Sequence, residues 1–183
     1  MKRLSNFLIT LALLAISTSM AQSITHWEGE YTGTLIAGSV GNVTDSIPVT
    51  FNLREMVADS VWEHKMTFHS EHYGTIVKDY RLIKDKATDS SSYVLDERNG
   101  IQMQLTLLND ALYGMYTVLG TTYVSTLRRL PDGRLLWDLF GAPVSSKTTT
   151  FSDATDQMDA MEVVGLKPSL QQTVFLSRAH ARE

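Results

Sequence analysis

There is no cysteine in the 183 residues. That excludes disulfides, thiolate metal sites and lipid attachment to a cysteine behind a leader segment. Stability has to come from packing. A basic excess is also lacking, since 16 Lys and Arg stand against 20 Asp and Glu. Nucleic-acid backbones are bound through basic patches, so nucleic acid is not an expected partner. No apolar run is long enough for a comfortable membrane-spanning helix. Enzyme signatures are missing as well. The chain has no Gly-x-Ser-x-Gly, no His-Glu-x-x-His and no phosphate-cradling glycine loop.

The first residues have the layout of an export signal. Lys2 and Arg3 are followed by the short apolar stretch "LITLALLAI" and by small residues ending in Ser19-Met20-Ala21. The small-x-small pattern predicts cleavage after Ala21, leaving one domain over 22–183 and a secreted or periplasmic location. Both lost charges are basic, so the 162 remaining residues carry 14 basic and 20 acidic side chains. One hydrophobic core fits that length. Asn42-Val43-Thr44 is a glycosylation sequon, relevant only in a eukaryotic host.

Alternation with period two dominates the rest. Ile47, Val49, Phe51 and Leu53 alternate with polar residues or proline, and Ile101, Met103, Leu105 and Leu107 do the same. Both stretches read as half-buried strands. Similar runs lie near 27–37, 60–69, 74–84, 91–97, 111–118, 121–130, 134–141 and 171–179, which makes about ten strands. Turn chemistry sets their register. A two-residue Asn109-Asp110 turn pairs Leu107 with Leu112 and Leu105 with Gly114, so that Met103 meets Tyr116. A turn at Leu119-Gly120 sets Tyr116 beside Tyr123. A three-residue Arg98-Asn99-Gly100 loop pairs Leu95 with Met103, whereas a two-residue turn would bury Asp96. A Pro131-Asp132-Gly133 loop likewise pairs Leu127 with Trp137. Residues 91–141 thus form an antiparallel meander with one consistent inner face. Such a meander exposes an edge unless it closes, and an all-β, single up-and-down barrel removes that edge. Two readings of 74–84 stay open: Ile76, Tyr80 and Leu82 turn inward with Lys78, or Val77 and Ile83 do so with Asp79 and Arg81.

Residues 142–170 break the rhythm. Phe151, Ala154, Met158 and Met161 recur at steps of three and four, and Ser152 can cap. One short amphipathic helix is expected there, ahead of a closing strand.

An early "WEGEYTGTL" strand, the "DERNG" hairpin, a meander, a late helix and the closing strand "QQTVFLSRA" together resemble a lipocalin-like (calycin) protein. More narrowly, they resemble secreted lipocalin-like proteins of Bacteroidetes-type bacteria. The resemblance implies a small-molecule binding barrel. It also implies that Trp27 matches the first-strand tryptophan and that Arg178 packs over it as a barrel cap. The glycine expected two positions before the tryptophan is Thr25 here.

On the predicted inner face, Tyr31, Phe51, Tyr93, Met103, Tyr116, Tyr123 and Trp137 suit an apolar pocket with a few polar tips. They equally suit a barrel filled solid. Arg129 faces inward near a strand end, where it meets a ligand carboxylate or reaches solvent. Gly29 and Gly33 on that face either let the strand coil at closure or leave room for a ligand. His64 is a core histidine or a haem ligand. His69-Ser70-Glu71-His72 offers two zinc ligands without a third, so no metal or other cofactor is expected. Asp153, Asp156 and Asp159 lack the spacing of a calcium loop, and Asp96-Glu97 at a hairpin end reads as solubilising. The expectation is an exported carrier of a hydrophobic or amphipathic molecule. A protein-interaction barrel with a filled core and an unrecognised barrel enzyme are the alternatives.

Overall fold

A computed structural model describes residues 23–154 and 158–179. The expected cleavage site after Ala21 and part of the expected helix lie outside them. Ten antiparallel strands close into one barrel. They are β1 (Gly29–Ser39), β2 (Asn42–Val57), β3 (Val61–Ser70), β4 (Gly74–Lys84), β5 (Ser92–Asp96), β6 (Gln102–Leu108), β7 (Ala111–Val118), β8 (Thr121–Arg129), β9 (Leu135–Pro143) and, at the closure, β12 (Leu170–Arg178). Each pairs with its sequence neighbour through β9, and β12 fits between β9 and β1. The order is that of an up-and-down barrel, with no free sheet edge along most of its length.

The registers follow from burial and turn chemistry. Leu95 pairs with Met103, Leu107 with Leu112, Tyr116 with Tyr123, and Leu127 with Trp137. Gly100 and Gly133 take positive φ in the three-residue loops. For β4 the structure chooses one face. Leu82, Tyr80, Lys78 and Ile76 stand opposite Trp62, His64, Met66 and Phe68 and therefore point inward. Leu82, fully buried, fixes that choice.

Gly33 answers the question of the inner-face glycines. A Cβ there would lie 2.3 Å from the Phe175 carbonyl oxygen and 2.8 Å from Val174 Cγ2. The space is filled by β12, which crosses β1 closely where the barrel closes. At Gly29 a Cβ would meet the Arg178 guanidinium at 3.2 Å.

One expectation fails. The described residues of that stretch, 151–154 and 158–161, are not helical. Instead β10 (Thr148–Phe151) and β11 (Glu162–Gly165) pair as an antiparallel ribbon outside the barrel. Thr148–Thr150 and Val163-Val164 are β-branched and favour extended backbone. The Ser152 N–H donates to the Met161 carbonyl, and the Ser152 Oγ accepts the Met161 N–H, each at 2.9 Å. The residue expected to cap a helix therefore ties the ribbon. Among the described residues helical backbone is confined to two single 3₁₀ turns, Thr25–Trp27 and Val144–Ser146.

Candidate functional site

The two ends of the barrel differ. At one end the Thr25–Trp27 turn lies across the opening and sinks Ile24 and Trp27 into the core. Leu53, Trp62, Leu82, Tyr93, Leu107, Leu112, Leu135 and Leu176 meet them there, all almost or fully buried. Each buried side chain of this size contributes on the order of 2 kcal/mol, which makes this end the folding core. The Tyr31 hydroxyl donates to the Trp27 carbonyl at 2.6 Å. Arg178 donates to the Glu28 carbonyl at 2.7 Å and holds its guanidinium 5.5 Å above the Tyr31 ring. Arg178 thus secures the sealed end through Tyr31 and the chain beside Trp27. The Trp27 indole itself is packed inside the core, and its Nε1 donates to His26.

The other end is open. A cavity of about 350 Å³ descends from it, walled by Met66, Phe68, Leu95, Met103, Leu105 and Trp137 with further apolar residues. Its polar members are His64, Lys78, Tyr80, Glu97, Tyr116, Tyr123, Ser125 and Gln172. On this side β5 pairs only with Arg81–Lys84 of β4, so Gly74–Tyr80 extend beyond it. Arg98 reaches across to Asp79 at 2.9 Å. The mouth is therefore widened beside β4.

Of the residues expected in the site, Met103, Tyr116, Tyr123 and Trp137 line this cavity. Tyr31, Phe51, Tyr93 and Arg129 share the inner face but lie below it, toward the sealed end. Phe51 packs its ring 4.9 Å from His64, and Tyr93 lies 6.1 Å from Trp62. Arg129 sits where its charge acts on Tyr31. His69 and His72 are exposed near the β3–β4 turn, and no group of three metal-ligating side chains occurs among the described residues.

Of the polar belt of the cavity, sequence reasoning had Tyr116 and Tyr123 but left Tyr80, Glu97, Ser125 and Gln172 out of the site. His64 stands opposite Tyr80 across β3 and β4, with their rings stacked at 6.5 Å. The Glu97 carboxylate lies near enough to the Tyr80 hydroxyl to act on its titration, and Glu97 accepts from the Asn99 amide at 3.2 Å. Tyr116 lies within electrostatic reach of Glu97, and its ring stacks on Tyr123 at 5.6 Å. Burial pushes the His64 imidazole down to about 4, so it is neutral at ordinary pH, and its Nδ1 has no hydrogen-bond partner. Burial raises the Tyr80 phenol, and the Glu97 carboxylate raises it further. Tyr116 is raised by burial and then by Tyr123 and Glu97. The arrangement offers a mostly apolar chamber with hydrogen-bonding groups along one side. It lacks a nucleophile paired with a base at bonding distance.

No family model matches the sequence, and no curated protein matches it. Among solved structures, the S-type phycobiliprotein lyase CPES from Guillardia theta superposes with a TM-score of 0.58. The match covers 86% of this chain and 90% of that one at 8% identity, so the likeness is one of fold.

Proposed function

We propose that the protein is exported and binds a small hydrophobic or amphipathic molecule in the barrel lumen, performing no chemistry on it. The open chamber carries this reading. It falls in the size range of small-molecule sites, and its walls are apolar apart from one polar side. Burial of the ligand's apolar surface supplies the affinity, at about 25 cal/mol per Å². The tyrosine hydroxyls, Ser125 and Gln172 orient it. The sealed end carries stability, so the open end is free to exchange its contents. The barrel fold shared with a phycobiliprotein lyase is compatible with such a use.

Trp137 offers a direct test. Trp27 and Trp62 lie in the sealed end, whereas Trp137 lines the chamber. Titration with octanol or naphthalene is expected to change tryptophan emission saturably. The change should disappear in Trp137→Phe, and binding itself should disappear in Ser125→Trp, which fills the chamber. Absence of any saturable change in the unaltered protein contradicts the proposal.

A second reading, a protein-interaction barrel, is favoured by one observation. The β10–β11 ribbon and its connections leave Phe151, Met158, Met161, Val163 and Val164 exposed. Phe151 and Val164 share one face of the ribbon, and exposed apolar side chains grouped outside a core mark contact surfaces. On this reading a Phe151→Ser, Val164→Ser variant keeps the melting temperature and loses a concentration-dependent association seen by sedimentation velocity. Identical sedimentation of the two proteins as monomers at all concentrations removes self-association from consideration.

A further inference from the structure

We infer that the ligand is an organic cation, an amine with an apolar body, whose charged head sits against Glu97. This rests on the chamber being a small-molecule site and names the class of molecule it takes. Three observations carry it. First, Glu97 places a carboxylate in the chamber wall, and among the described residues no ion pair includes it. Its one hydrogen-bond donor is the neutral Asn99 amide, with the neutral Tyr80 phenol beside it. A half-buried carboxylate facing an apolar space is costly unless a cation joins it.

Second, aromatic rings surround that position. Tyr80 stands beside Glu97, Tyr116 lies within its electrostatic reach, and Tyr123 stacks on Tyr116. Ring faces attract ammonium groups, so the tyrosines and the carboxylate act in the same sense. His64, the next member of the belt, is neutral and adds no opposing charge. Its Nδ1 is buried without a partner at the chamber floor, which suits a polar atom on the ligand.

Third, the cation that also lines the chamber is placed differently. Lys78 is exposed, on the part of β4 that projects beyond β5. Its ammonium extends to water, as lysines at apolar rims do. Glu97 is the more enclosed of the two and sits level with Tyr80. In the same chamber Met66, Met103, Trp137 and Leu139 provide the apolar wall against which the body of the amine lies.

The test uses three probes with one tail: octylamine, octanol and octanoate, titrated into the purified protein at pH 7.5 by calorimetry. Octylamine is expected to bind at least about ten-fold tighter than octanol, a difference typical of one charge-assisted contact. Octanoate should bind weakest. Glu97→Gln should bring octylamine to the affinity of octanol, and an unchanged near-UV circular dichroism spectrum shows that the variant is folded. Lys78→Ala should strengthen octylamine. Octanoate binding tightest, and losing affinity in Lys78→Ala, would overturn the inference by making Lys78 the selecting group. Octanol and octylamine binding alike overturns it too, yet leaves the carrier reading standing. Failure of all three probes removes both.

Discussion

Arg178 and Tyr31 are register partners across β12 and β1, and the guanidinium rests 5.5 Å from the ring centroid. The same arginine donates to the Glu28 carbonyl, while the Tyr31 hydroxyl donates to the Trp27 carbonyl. Two side chains thereby tie the last strand and the first to the turn that seals the barrel. Arg178→Ala is expected to cost about 1 kcal/mol, the scale of an exposed cation–π contact, and to lower Tm by a few degrees. Arg178→Lys should recover part of the loss. Thermal melts of the three proteins check this, and equal Tm values would show that the cap is ornamental.

Two glycines separate close packing from backbone freedom. Gly33→Ala drives a methyl into the Phe175 carbonyl, and neither strand can yield without opening the closure. A loss of about 3 kcal/mol or more is expected. Gly41 has φ +83° but open space around it, so Gly41→Ala should cost only about 1 kcal/mol of backbone strain. Urea midpoints give the order. Gly33→Ala being the milder change would mean the strands are not in contact there.

His64 gives the stability a specific acid limb. Its folded pKa, pushed down to about 4 by burial, lies below the ordinary value of 6.5. The unfolded chain therefore binds the extra proton first, and stability falls as pH drops from 6.5 toward 4. The full effect is about 3 kcal/mol. Asp59, Asp85, Asp89 and Asp132 are lowered from 3.8 by hydrogen bonds, with Lys84 pairing at Asp59, and act only at lower pH. Urea unfolding between pH 4.5 and 7 should show a slope that His64→Leu removes. An unchanged slope in that variant assigns the limb to another group.

Stability and binding should separate along the barrel axis. Leu107→Ala in the sealed end should cost about 2–5 kcal/mol, the range for buried leucine, while a folded sample keeps its affinity for octanol. Ser125→Trp should do the reverse, holding Tm and abolishing uptake. Loss of both properties in both variants would show one undivided core.

The meander was legible because alternation and turn chemistry agree. Placing Asn109-Asp110, Leu119-Gly120 and two glycine-bearing three-residue loops left one register that buries no charge. For β4 these signals fall silent, since Lys78 follows one face and Asp79 the other, and only pairing with Trp62 and His64 on β3 decides. That gap hid the site. Tyr80 and Lys78 could not be put in the lumen until β4 was placed, and Glu97 then looked like a hairpin-end charge in solvent. Alternation also reports which side a residue faces and nothing about its depth, so Tyr31, Phe51, Tyr93 and Arg129 were grouped with residues nearer the mouth. The three- and four-residue spacing in 151–161 suggested a helix, but Phe151, Met158 and Met161 have no core beneath them. With no face to bury, β-branched Thr148–Thr150 and Val163-Val164 set the local structure.

Native mass spectrometry of the protein purified from its own producing cells tests the central claim most directly. The account predicts a reproducible excess mass that extracts as one small amphipathic species, present in the unaltered protein and missing from Ser125→Trp. A bare mass in both, unchanged after incubation with octylamine and octanol, would contradict it and leave the lumen without a ligand.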